Sequence, residues 1–205
     1  METEILPAGK PSALDRALEI LQAGGLVAFP TDTVYGVGSL AFDVQGINQL
    51  YLVKERQHTK AIPILLSRPE QLSQVSGEIN ATVERLSERF WPGPLTLVLP
   101  RSTRLPANIS QYPTIGVRIP DHPVALALIN RAGPMAVTSA NLSGERNSQT
   151  AQEVFEQLAG RIPLILDGGK TPGGAPSTVV DCTTSQLRIL RSGPISKQDL
   201  LAALS

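Results

Sequence analysis

The 205-residue chain has a single cysteine, Cys182, so no disulfide can form within it, and an isolated thiol reads as a small buried side chain rather than a redox centre. Its two histidines, His58 and His122, lie far apart and fit no metal-ligand pattern, which excludes a protein-built zinc site of ordinary spacing. Charge of either sign is also scarce. Lys+Arg and Asp+Glu both total 18, the net charge is zero, and any basic site must therefore be local rather than a long-range attractor of nucleic acid. No run approaches the roughly 18 apolar residues of a membrane span. The opening Met-Glu-Thr-Glu lacks the basic and apolar regions of a secretory signal, so the expectation is a cytoplasmic protein with no membrane contact. Familiar nucleotide and hydrolase motifs are missing too. There is no G-x-x-x-x-G-K-[ST] and no G-x-S-x-G, and Gly36-Val-Gly38 lacks the third glycine of a dinucleotide fingerprint because Ala41 stands there.

What is present is a 41% hydrophobic chain long enough for one substantial core, so residues 1–205 are expected to form a single domain. Helical and strand-like stretches alternate. Ser12 with Asp15 resembles a capping box for a first helix that Gly24-Gly25 stops, and Leu26–Phe29 reads as a buried strand terminated by Pro30. The polar stretch Thr31–Gly38 is expected to be a loop. Ile47, Leu50, Tyr51 and Lys54 continue at helical spacing, Ile62–Leu66 follows as a strand, and Asn80 begins a helix that Pro92-Gly93-Pro94 breaks before a strand at Leu95–Leu99. Further strands are expected at 115–119, 135–138, 163–166, 177–181 and 187–190, with helices starting at Pro123, Thr150 and Ser196. This pattern predicts an α/β fold with a mixed sheet whose last two strands form an antiparallel hairpin.

Three constellations carry chemistry. Lys54-Glu-Arg56-Gln-His-Thr-Lys60 places three cations within seven residues, and arginine forks with lysine point charges suit a polyphosphate. A solvated loop explains the same charges. Thr138-Ser-Ala-Asn-Leu-Ser-Gly144 begins at a strand end and combines small side chains with donors for phosphate or ribose, although an ordinary turn has the same composition. Pro30-Thr-Asp-Thr-Val-Tyr-Gly-Val-Gly38 is a third polar segment after a buried strand, where ligands of open α/β sheets collect. Arg118 alternates with Val117 and Ile119, so it points away from both, towards solvent or a cleft.

These stretches, with Trp91-Pro-Gly-Pro-Leu-Thr96, Gly116-Val-Arg-Ile-Pro120, Ser177-Thr-Val-Val-Asp181 and Leu190-Arg-Ser-Gly193, occur in an order that resembles the YrdC-like family of threonylcarbamoyl-adenylate synthases. The resemblance spans nearly the whole chain. It implies a YrdC-like twisted mixed parallel/antiparallel sheet flanked by helices, with a concave ligand-binding cleft. The implied activity joins L-threonine, bicarbonate and ATP into threonylcarbamoyl-AMP with release of pyrophosphate, for threonylcarbamoyladenosine modification of tRNA. It further implies Mg2+ carried with ATP and no protein-built metal site. Among partners it implies tRNA or double-stranded RNA and a tRNA-threonylcarbamoyl transferase complex. By resemblance Thr33, Arg118, Thr138 and Thr178 hold L-threonine, with Arg118 on its carboxylate. Arg56, Lys60, Thr114, Ala140, Ser148 and Arg191 contact ATP, and Lys54, Ser139 and Asn141 complete the K-x-R and S-x-N signatures as catalytic residues.

The chain departs from the family pattern in places. Gln57 follows Arg56 where proline is usual, Glu145-Arg-Asn-Ser148 replaces a proline-bearing stretch, and Leu65 stands where some relatives have histidine near threonine. An end at Ser205 corresponds to the short form of the family. Two other readings are a carbamoyl-transferring relative of hydrogenase-maturation proteins and a double-stranded RNA or tRNA-binding module without catalysis.

Overall fold

Short apolar runs bounded by glycine and proline build most strands, as expected for residues that pack on a pleated surface. The strands are β1 (Glu4–Pro7), β2 (Val27–Pro30), β3 (Tyr35–Leu40), β4 (Ile64–Leu65), β5 (Leu95–Pro100), β6 (Thr114–Arg118), β7 (Met135–Ser139), β8 (Leu164–Asp167), β9 (Thr178–Asp181) and β10 (Arg188–Arg191). The helices are α1 (Pro11–Gln22), α2 (Val44–Val53), α3 (Leu72–Val75), α4 (Ala81–Phe90), α5 (Pro123–Ala132), α6 (Ala151–Leu158) and α7 (Lys197–Leu204). The computed structural model describes residues 2–173, 175–184 and 186–205. Among these the strands form one sheet in the order β1-β8-β2-β3-β7-β4-β6-β5-β9-β10. Pairs β1–β8, β8–β2, β4–β6 and β5–β9 are parallel and the others antiparallel, including the β9–β10 hairpin, so the expected mixed sheet is found.

Strand alternation divides the core between the two faces of the sheet. Val27 and Phe29 of β2 pack with Ala17 and Leu21 of α1 and Leu128 of α5, whereas Ala28 between them joins Ile47 and Leu50 of α2 on the other side. Each fully buried aliphatic or aromatic side chain contributes about 1.5–3 kcal/mol. Helix starts follow the polar residues that precede them. Asp43, Asn80, Thr150 and Ser196 accept backbone N–H groups of the first turns of α2, α4, α6 and α7.

Several elements differ from the sequence reading. The stretch expected as a loop over Thr31–Gly38 holds β3, because Gly36 and Gly38 admit the adjacent strand: a Cβ on either would lie 2.7 or 2.8 Å from a Val137 methyl. Glycine usually weakens a strand, which hid this one. The α1 helix starts at Pro11 after Lys10, with no side-chain cap, because proline presets the first helical φ and has no N–H to satisfy, so Ser12 falls inside the helix. The strand expected over 62–66 is only two residues long, and Pro63 occupies its start. Glu153, three residues after the Thr150 cap, accepts the Gln149 amide at 2.6 Å.

Candidate active site

Because side chains of a strand alternate, one face of the sheet presents every second residue. On the face that bears Arg118 these are Thr96 and Val98 of β5, Gly116 and Arg118 of β6, Leu65 of β4, Val137 and Ser139 of β7 and Val179 of β9. They line a cavity of about 430 Å³. Thr31, Thr33, Arg56, Ser177 and Arg191 close its sides. The three segments singled out in the sequence therefore converge, since the β2–β3 turn, the segment after α2 and the end of β7 all reach this cavity.

Arg118 is the most fixed of these groups. Its Nε donates to the Gly93 carbonyl at 2.9 Å, one terminal nitrogen donates to the Thr33 hydroxyl at 3.2 Å, and the other pairs with Asp32. The turn Trp91-Pro-Gly-Pro94 supplies that carbonyl, and the indole N–H of Trp91 braces the turn by donating to Leu95 O at 2.7 Å. Burial lowers the Arg118 pKa, Asp32 opposes the shift, and the charge of Arg191, which lines the same cavity, adds to it. A guanidinium keeps its proton throughout this range, so the wall remains cationic.

Arg56 and Arg191 are held in the same manner. Arg56 donates to Lys60 O at 3.1 Å and Ala61 O at 2.9 Å, and Arg191 donates to Ser177 O and Oγ, both at 3.1 Å. The Ser177 hydroxyl in turn shares a 2.7 Å hydrogen bond with Thr96. Among the described residues three arginines line one cavity, Arg118 with Asp32 as its partner, and part of each fork is taken by carbonyls that fix its direction. Such a site favours an anion with several oxygens.

Residues 138–148 form the third wall. Thr138 and Ser139 line the cavity, while Ala140 N donates to Tyr35 O at 2.8 Å and Tyr35 N donates to Ser148 O at 2.9 Å. The Lys54 ammonium lies behind this segment and donates to the carbonyls of Ser139 and Asn141. Burial and then the Arg56 charge push Lys54 down to about 7, against which its two carbonyl acceptors favour the charged form.

Of the residues picked out from the sequence, Thr33, Arg56, Arg118, Thr138, Ser139 and Arg191 line the cavity together. Lys54, Asn141, Ala140 and Ser148 form the layer behind it, each buried. Thr178 is buried and bonded to Ile195, donating to its carbonyl at 2.9 Å and accepting from its N–H at 3.0 Å. Thr114 stands at the start of β6, and Lys60 is exposed on the loop whose carbonyl anchors Arg56. The sequence reading did not single out Asp32, Thr96 or Ser177, although each lies inside a quoted stretch. Gly193, also quoted, has a physical reason: a Cβ there would sit 2.4 Å from Thr178 N and 2.6 Å from Pro176 O.

The Sua5/YciO/YrdC family model, described as telomere recombination, matches residues 19–193. The chain belongs to this family. A threonylcarbamoyl-AMP synthase of Pyrococcus abyssi is 40% identical over 90% of the chain and 55% of its own length, and one of Bacillus subtilis is 38% identical over 98% and 59%. The chain thus spans little more than half the length of these curated relatives. The crystal structure of P. abyssi Sua5 complexed with L-threonine superimposes with a TM-score of 0.90 at 39% identity, over 93% of this chain and 57% of that one. The fold of the Sua5/YciO/YrdC family is therefore the fold described above. Among the described residues no helix is long and apolar enough to cross a membrane, and no group of three or more His, Cys, Asp or Glu is placed to hold a metal.

Proposed function

We propose that the chain acts as an L-threonylcarbamoyladenylate synthase, joining L-threonine, bicarbonate and ATP with release of pyrophosphate. The observation that carries this reading is the convergence of Arg56, Arg118 and Arg191 with Thr33, Thr138 and Ser139 on one cavity. Relatives named for this activity and a relative bound to L-threonine support it.

In this reading the threonine amine adds to bicarbonate-derived carbon dioxide, losing a proton to form a carbamate. A carbamate oxygen then attacks the α-phosphorus, the bond from that phosphorus to the bridging oxygen breaks, and pyrophosphate leaves with the bond's electrons. No covalent enzyme intermediate is required, so the site works by positioning and by neutralising charge. Arg118, aimed by Gly93, Thr33 and Asp32, takes the amino-acid carboxylate. Arg56 and Arg191 face the phosphates, with Ser139 as a hydroxyl donor beside them. Lys60, on the exposed rim, supplies a mobile charge to the terminal phosphates, and Thr114, Ala140 and Ser148 shape the nucleotide side. Thr138 and Thr178 border the amino acid, Thr138 directly and Thr178 through the strand end it fixes. The described residues offer no carboxylate cage, so a magnesium ion entering with ATP would be held by phosphates and water, where it would neutralise charge. Delivery of the product to tRNA, directly or through a transferase partner in the cytoplasm, belongs to the same reading.

The test is pyrophosphate release with L-threonine, bicarbonate and Mg-ATP, with threonylcarbamoyl-AMP identified by mass. Release is expected to require all three substrates. Threonine-independent release, or none, would sink the proposal.

A further inference from the structure

Lys54 and Arg56 are separated by one residue and take opposite routes. Lys54 closes the C-terminus of α2 and is 1% exposed, while Arg56 enters the cavity wall. The residue between them, Glu55, has φ 53°, the only positive φ of a non-glycine residue among those described. Side chains disfavour this left-handed conformation. It lets the Arg56 amide return to Tyr51 O at 2.9 Å and sends the two cations to different places.

The place Lys54 goes to is defined by carbonyls. Four consecutive carbonyls, Ser139 to Leu142, each accept from a side chain. Lys54 Nζ donates to Ser139 O and Asn141 O, the Ser148 hydroxyl donates to Ala140 O at 2.8 Å, and Asn141 Nδ2 donates to its neighbour's Leu142 O at 2.7 Å. The main chain of Lys54 completes the attachment, its own carbonyl accepting from Ser143 N at 3.0 Å. A carbonyl oxygen is the negative end of a peptide dipole, and a row of them turned towards the cavity would repel phosphate. Lys54 draws two of the four to the rear. A buried ammonium with no acceptor would be costly, so cation and loop hold one another.

We propose that Lys54 is a positioning residue: it gathers the Ser139 and Asn141 carbonyls behind the cavity, fixes residues 139–143, and touches no substrate. The proposal rests on the synthase reading only for the claim that Ser139 is thereby presented to phosphate. Removing Lys54 frees the loop and slows phosphoryl chemistry. Threonine binding is spared, because Arg118 of β6 and Thr33 of the β2–β3 turn do not touch Lys54 and Thr138 stays in the β3–β7 ladder opposite Val37.

The first test uses the unaltered protein without substrate. The other four lysines, Lys10, Lys60, Lys170 and Lys197, are all exposed, so their ammonium protons exchange quickly with water. A slowly exchanging 15Nζ ammonium signal at pH 6 in the ligand-free protein, little changed by saturating ATP, is the expected result. No signal in the free protein, or one that appears only with ATP, overturns the proposal. The second test is Lys54→Met. Its amides at 140–145 should exchange with deuterium about tenfold faster in the ligand-free state, kcat for pyrophosphate release should fall about tenfold, and the threonine KM should stay within about threefold. Unchanged exchange over 140–145 together with weakened ATP binding would instead make Lys54 a phosphate contact. Because signal and exchange are read without substrate, they remain decisive even if the synthase reading fails in the pyrophosphate assay.

Discussion

Arg118 and Thr33 are 85 residues apart in the chain, yet the guanidinium of one donates to the hydroxyl of the other at 3.2 Å. The contact joins the C-terminal end of β6 to the β2–β3 turn at the cavity wall. It also gives Asp32, next in sequence to Thr33, its partner.

Asp32→Ala removes the carboxylate from an ion pair whose side chains are 7% and 12% exposed, leaving Arg118 buried without its counter-charge. Breaking such a pair costs about 3–5 kcal/mol. A melting temperature lower by roughly 6–20 °C is expected for a chain of this size. An unchanged melting temperature would show that the pair is not formed in solution.

Arg56→Ala should act on binding rather than on folding, because its side-chain partners are loop carbonyls only. Loss of charge-assisted hydrogen bonds worth about 1.5–3 kcal/mol weakens ATP about 10- to 100-fold. Calorimetric titration with ATP checks this, and equal affinity in parent and variant would remove Arg56 from the site.

Much of this arrangement was legible in the sequence, and the parts that were not have physical reasons. Apolar runs such as Leu95–Leu99 and Met135–Thr138 announced β5 and β7, and proline at 123 and the side chains of Asn80 and Ser196 announced three helix starts. The motif order pointed to Arg56, Arg118 and Ser139, which do share the cavity. The strand β3 stayed hidden because Gly36 and Gly38 lower its propensity while serving close packing on Val137. The partition of Lys54 from Arg56 was not legible either. It depends on one left-handed residue, Glu55, and on carbonyls 85 and 87 residues away, which no local pattern records.

Gly38→Ala follows from the same packing. The added Cβ would lie 2.8 Å from a Val137 methyl and 2.9 Å from Ala136 O, so a strand carbonyl as well as a side chain must shift. Overpacking of this kind costs about 1–3 kcal/mol. Urea denaturation should show it as a lower midpoint, and an unaltered midpoint would mean that β3 and β7 are not paired as described.

Cys182 should be inert in the folded protein. Burial, and then the neighbouring Asp181 charge, push its thiol up to about 12 from 9.0, so thiolate is nearly absent at pH 8. Iodoacetamide should label it in urea but not in buffer. The sign for stability follows: the folded form holds the proton more tightly than the unfolded chain, so this contribution is present below about pH 9 and is lost as pH rises towards 12. Rapid labelling of the native protein at pH 8 would contradict the buried placement.

Arg118→Lys tests most directly whether Arg118 holds the amino-acid carboxylate in the cavity proposed for the reaction with ATP. Lysine keeps a positive charge beside Asp32 but lacks the planar fork that two carboxylate oxygens require. Measured as pyrophosphate release, the threonine KM is expected to rise about tenfold or more while the ATP KM stays within about threefold. A variant in which both constants rise alike, or neither changes, would contradict the assignment of Arg118 to threonine.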